Sequence, residues 1–157
     1  MSRLSVLVLF LSILSTIWLA CGEPDTSFGP VDQTESPNQT ARATWQSNDI
    51  DNYTIDQKVG FWGPAGFQGW VQLEIEDNEI AGAVNLGENR EPENYEIIWF
   101  RTIDDLFDLI ESSSDADYVV ITYDSIYGYP NHIFINGNTG VRHDEIYYKT
   151  NLIHADN

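Results

Sequence analysis

Lysine is nearly missing from this chain, which carries only Lys58 and Lys149 in 157 residues. Basic residues as a whole are scarce, with 7 Lys plus Arg against 25 Asp plus Glu, a net charge of −18 and an isoelectric point near 4.1. That balance excludes a nucleic-acid interface built on a basic surface, because phosphate contacts need clustered Lys and Arg. One cysteine excludes an internal disulfide and a Cys-based zinc cluster. No Gly-rich loop opens a helix with a Lys, so a phosphate cradle is lacking. No G-x-S-x-G elbow occurs either. No catalytic residue and no cofactor are therefore assigned from the sequence. What is present is a chain 42% hydrophobic and 13% aromatic, too apolar to be disordered throughout and long enough for one domain.

Leu4 to Ala20 is an apolar run behind the single Arg3, broken only by Ser and Thr. It is shorter than the about 20 residues that span a bilayer and suits the apolar core of an export signal. Its end, Trp18-Leu19-Ala20-Cys21-Gly22, resembles the lipobox of bacterial lipoproteins, with Trp18 where Leu is usual. The resemblance implies a signal peptide over 1–20 and lipidation, such as palmitate, on Cys21. An uncleaved anchor and a plain signal peptide are the alternatives. Acyl chains would bind the membrane through methylene burial worth about 0.8 kcal/mol each. Gly22 in place of Asp points to the outer membrane if the cell is Gram-negative. Cleavage removes Arg3 and no acid, so six basic groups then face 25 acidic ones, a net charge of −19. Such a domain is repelled by an anionic membrane surface and held out on its tether.

Residues 21–40 read as lipidated Cys21 followed by a flexible tether holding Pro24, Pro30 and Pro37. Residues 41–157 read as one domain. A short helix over 41–49 buries Trp45. Tyr53 to Val59 alternates as a half-buried strand. Trp70 to Glu76 and Glu79 to Leu86 form a hairpin around Asp77-Asn78, with Ile80, Val84 and Leu86 pointing inward. Thr102 caps a helix with Asp105 in the capping-box position, and Ile103, Leu106, Phe107 and Ile110 form its buried stripe. Strands over 118–123, 132–136 and 146–152 follow. The expected fold is α+β: an antiparallel sheet of about six strands with one or two helices on one face, arranged as two αβββ halves. Asn52-Tyr53-Thr-Ile and Asp117-Tyr118-Val-Val would open corresponding strands. The wet face would show Thr54, Asp56, Lys58, Gln72, Glu74 and Glu76.

The stretches TIDDLFDLI (102–110), TYDSIYGYPNHI (122–133) and DEIYY (144–148) carry a resemblance. Together they resemble an uncharacterised bacterial lipoprotein family, the domain of unknown function numbered 6174, over about residues 41–152. The element Tyr123-Asp124-(x)3-Gly128-Tyr129-Pro130 is the most specific part. The family often has Cys-x-Cys after the first strand. Here Gly60-Phe61-Trp62-Gly63-Pro64 stands instead, so no redox or disulfide role carries over. The helix and three-strand pattern is also similar to PepSY and β-lactamase-inhibitor-like envelope modules. This implies a location in the cell envelope and a protein partner there, by fold analogy alone.

Two clusters are candidate binding sites. In the first, Tyr123, Asp124, Tyr127 and Tyr129 read either as a turn, with Asp124 bonding backbone N–H groups and Gly128 at positive φ, or as a recognition surface. The second is the loop 60–70, with four glycines and four aromatics in eleven residues. Phe61 and Trp62 either fold over the core end or project as a tip that stacks on a partner or a glycan. No metal site is assigned. His143 and Glu145 alternate so that at most these two could share an ion, and Asn136 and Asn138 resemble a calcium loop without its closing Glu. The functional expectation is a non-enzymatic, membrane-anchored binding domain. The alternatives are a small-ligand or calcium-binding module and, last, a hydrolase.

Overall fold

A computed structural model of the chain describes residues 36–61, 69–142 and 144–156. The elements are α1 (Pro37–Gln46), β1 (Asn52–Phe61), β2 (Val71–Glu76), β3 (Glu79–Asn85), α2 (Asn94–Ile97), α3 (Ile103–Ser112), β4 (Tyr118–Tyr123), β5 (Pro130–Asn136) and β6 (Glu145–Asp156). The six strands form one open sheet in the order β3-β2-β1-β6-β5-β4, with every pairing antiparallel. The α+β class and the six-stranded antiparallel sheet expected from the sequence are therefore present. Each half is a meander, and the chain from β3 to β4 passes from one sheet edge to the other through α2 and α3.

The sheet has one dry face. Tyr53, Ile55 and Val59 of β1, Val71, Leu73 and Ile75 of β2, Ile133 and Ile135 of β5 and Tyr148 of β6 are buried there. Ile103, Leu106, Phe107 and Ile110 of α3 and Ala41 and Trp45 of α1 complete the core. Each such side chain contributes about 1.5–3 kcal/mol by leaving water. α3 forms as its sequence predicts. Thr102 Oγ1 accepts from Asp105 N at 3.1 Å, and Asp105 Oδ2 accepts from Thr102 N at 3.3 Å.

Several boundaries differ from expectation. α1 starts at Pro37, inside the stretch read as tether. Ser36 and Gln39 close a capping box at 3.3 Å and 2.9 Å, and Pro37 occupies the first turn, where it loses no hydrogen bond. The proline that signals a linker is here a helix starter. In β3, Val84 and Leu86 point outward, 38% and 46% exposed, not inward. Ile75 pairs with Ile80 but Leu73 pairs with Ala83, so β3 carries one extra residue. That bulge inverts the alternation after Ile80, and Ala83 and Asn85 take the inner face in place of Val84 and Leu86. The αβββ order does repeat along the chain, but the halves do not correspond strand by strand. β1 lies at the sheet centre with Tyr53 buried, whereas β4 lies at an edge with Tyr118 exposed.

Gln57 occupies the dry face although it is polar, and it is fully buried. Its Nε2 donates to Arg101 O at 3.0 Å and its Oε1 accepts from Arg101 N at 2.9 Å. Two tyrosines act beside it. Tyr53 OH accepts from Ile103 N at 2.9 Å, satisfying a first-turn amide of α3. Tyr148 OH donates to Trp99 O at 3.0 Å. Burial raises the pKa of both phenols. Replacing Gln57 by Ala leaves both Arg101 backbone groups without these partners, at a cost of about 2–4 kcal/mol. The expected result is a lower urea midpoint with an unchanged slope. An unchanged midpoint would mean that this contact holds nothing.

Candidate functional site

The Tyr123–Pro130 element is a β4–β5 connection closed by one carboxylate. Asp124 Oδ1 accepts from Ile126 N at 2.9 Å and Tyr127 N at 2.8 Å. Asp124 N donates to Tyr129 O at 2.8 Å, and Gly128 N donates to Asp124 O at 3.1 Å. Gly128 takes φ +81°, and a Cβ there would stand 2.5 Å from Ala41 O and 2.9 Å from Thr44 Cβ. The turn is thus pressed onto α1. Tyr123 reaches the same helix, donating from its OH to Asn38 Oδ1 at 2.9 Å while its ring stacks on Phe107 at 6.4 Å. Tyr129 is 7% exposed, meets Trp45 edge-on at 6.3 Å and accepts from Leu152 N at 3.1 Å. Burial pushes both phenols above the usual tyrosine range. Tyr127 is half-buried against the core, which leaves Ile126 as the side chain that this turn projects. Tyr123 and Tyr129 are thus used in holding the fold, and Tyr129 offers a partner almost no surface.

Of the second predicted cluster, only the Phe61 backbone is described, and it lies at the opposite end of the sheet. The Phe61 backbone pairs with Ile146 at the last rung of β1, whereas Tyr123 pairs with Pro130 at the far end of β4. The Phe61 side chain and Trp62 lie outside the described residues, as does His143.

A third grouping was not singled out from the sequence. It lies on the wet face, where no residue joins the buried core. The register sets Lys58 of β1 opposite Lys149 of β6, and Lys149 opposite His132 of β5. One rung on, Gly60, Tyr147 and Phe134 form the neighbouring row. The Tyr147 ring lies over Gly60, in the space that a Cβ at Gly60 would need. Lys58, His132, Phe134, Tyr147 and Lys149 enclose a shallow depression of about 280 Å³. The same face carries Asp56, Glu74 and Glu76 toward β2 and Glu145 beyond Tyr147 on β6, so acids flank the lysine row on both sides. Two clues lay in the sequence, the rarity of lysine and the alternation of Ile146 to Leu152. Only the strand register brings them together.

The model of a family of unknown function, DUF6174, matches residues 38–155. The chain belongs to DUF6174. No curated protein and no solved structure matches it. In this DUF6174 domain the match runs from the first turn of α1 to the end of β6, so α1 belongs to the matched unit together with the sheet. The Tyr-Asp-(x)3-Gly-Tyr-Pro turn is what docks that helix. Gly128→Ala adds both a strained positive φ and a clash with α1, an expected loss of about 2–4 kcal/mol. Thermal denaturation followed by circular dichroism checks this; a melting temperature equal to that of the parent chain would remove the docking role.

Proposed function

We propose that this chain is a non-enzymatic lipoprotein of the cell envelope. In this reading it is anchored through lipid on Cys21, and its domain binds an envelope protein partner through the wet face of the sheet. The anchoring half rests on the run Leu4 to Ala20 followed by the only cysteine in the chain. The binding half rests on one observation above the others: the helices cover one face of the sheet, and on the other the only two lysines stand side by side next to two aromatic rings. A tether that holds such a domain off the membrane leaves this face free to meet a partner. Cys21→Ser tests the anchor. The substituted chain is expected in the soluble fraction and without incorporated palmitate, while the parent partitions with membranes. Membrane partition that survives the substitution points to the uncleaved signal run instead.

One observation supports calcium binding as a second reading. Asn136 Oδ1, Asp144 Oδ1 and Glu145 Oε2 are buried and have no hydrogen-bond partner among the described residues. Asn136 and Glu145 face each other across β5 and β6, and Asp144 is adjacent. Oxygen-only donors suit a hard cation. Titration calorimetry is expected to show calcium heat in the parent chain that Glu145→Gln abolishes. Heat absent from the parent removes this reading.

A further inference from the structure

We propose that the depression around Lys58 and Lys149 binds a carboxylate that stands beside an apolar group on a partner protein. The proposal rests on the partner-binding reading above and names the chemistry of that partner.

The starting point is a cost. Like charges directly opposite on neighbouring strands repel and destabilise the sheet. This chain has two lysines among 25 acids and still sets them opposite each other. An acidic neighbour would relieve the repulsion, and two of the arginines have such neighbours. Arg42 reaches Asp108 at 2.8 Å and Glu111 at 3.0 Å, and Arg90 reaches Glu96 at 2.9 Å as well as Glu88. Neither lysine has an acid or a hydrogen-bond partner among the described residues. Asp56, two positions from Lys58 on the same face, accepts instead from Gln72 Nε2 at 3.1 Å. Two ammonium groups and the His132 imidazole thus stand in one row, open to an anion from outside.

The neighbouring row indicates what carries that anion. Tyr147 and Phe134 are half-buried and continue the floor of the depression as an aromatic surface beside the cations. A carboxylate at the lysines therefore places its attached carbon chain on the rings. Phosphate fits less well. Phosphate sites draw on helix N-termini, free backbone amides or the arginine fork, whereas this face is made of strands whose amides are engaged in the ladder. Lysine, a compact point charge with three donors, serves a monovalent carboxylate without such a frame.

Shape and field select the source. At about 280 Å³ the depression is at the small end of ligand pockets and is a shallow hollow open to solvent, not a cavity that surrounds a small molecule. It suits a side chain or chain end that protrudes from a larger body. The overall charge of −18 repels a strongly acidic segment at long range, and the attraction of the lysine pair is screened beyond about 8–10 Å. One carboxylate flanked by an apolar residue meets both conditions, whereas an acidic run does not.

Isotope-labelled lysine gives two signals from the full chain, one for each lysine, and these report the site directly. The probes are N-acetyl-Gly-Gly-Phe with a free carboxylate, the same peptide as its amide, phenylacetate and inorganic phosphate. The free-acid peptide is expected to move both signals to saturation, with the amide and phosphate at least ~tenfold weaker and phenylacetate weaker than the peptide. Lys149→Met should weaken the peptide at least ~fivefold while keeping or raising the melting temperature, because it removes the like-charge pair. A lowered melting temperature with unchanged peptide affinity would make Lys149 structural and overturn the site. Phosphate as strong as the peptide would reduce the site to charge alone. Phenylacetate as strong as the peptide would assign it to a free acid, not a partner protein. No shift with any probe overturns the site while leaving the anchor on Cys21 standing. Conversely, a chain that binds the peptide but never partitions with membranes overturns the anchor alone.

Discussion

Three polar side chains on the dry face of the sheet hold the backbone that leads into α3, and much of the molecule depends on this grip. Tyr148 takes Trp99 O, Gln57 takes both backbone groups of Arg101, and Tyr53 takes the first amide of α3. A helix stripe pressed on a sheet by apolar contact alone can slide and rotate. Hydrogen bonds formed inside a low-dielectric core fix its position, because any shift leaves buried groups unpaired. With α3 placed, Phe107 meets Tyr123, Arg42 of α1 meets Asp108 and Glu111, and Trp45 meets Tyr53 edge-on at 5.4 Å. The Arg42 ion pairs are partly exposed and add little individually. Their role is to orient α1 over a core that the buried contacts already hold.

The position of α3 also explains why the described helices leave one side of the sheet uncovered. The chain leaves the sheet at the β3 edge and re-enters it at the β4 edge, and it makes that crossing over the dry face with both longer helices on the same side. No helix remains among the described residues to cover the wet face. Polar and aromatic side chains there follow from strand alternation alone, so their charge arrangement is free to vary without disturbing the core. The pairing of Lys58 with Lys149 in a row flanked by Asp56 and Glu145 is one such arrangement. It gives a chain of strongly negative net charge a local site of opposite sign.

Local signals were legible where one physical cause acted alone. The Thr102 and Asp105 capping box and the stripe Ile103, Leu106, Phe107, Ile110 define α3 without tertiary help. Asp77 and Asn78 take positive φ of 50° and 62°, as a two-residue hairpin turn requires. Reading failed where two causes compete. Ser36-Pro37 serves equally as linker composition or as helix cap, and only a docked α1 decides between them. Alternation in β3 predicted Val84 and Leu86 inside, but one inserted residue reverses it, and a bulge leaves no mark in composition. Gln57 shares the inward positions of Tyr53, Ile55 and Val59, and its polarity is accounted for only when the backbone of Arg101 is placed above it. The lysine pair was hidden for a different reason. Residues 58 and 149 are distant in sequence, and only the antiparallel β1–β6 register makes them neighbours.

The matched unit and the docking turn bear on how the domain meets its surroundings. The family match begins at residue 38, within the first turn of α1, and Asn38, Ala41, Thr44 and Trp45 are the residues of that helix that touch Tyr123, Gly128 and Tyr129. The most specific sequence element of the second half is therefore the clamp for the first helix. A clamp here has a mechanical consequence. The clamp joins β4 and β5 to a helix that also runs into β1, meets Tyr53 of β1 through Trp45 and meets α3 through Arg42, so α1 ties both halves of the sheet together. The wet face lies on the opposite side of the sheet from α1. The helices and the lysine row therefore occupy opposite faces, and what holds the fold together uses none of the side chains in that row.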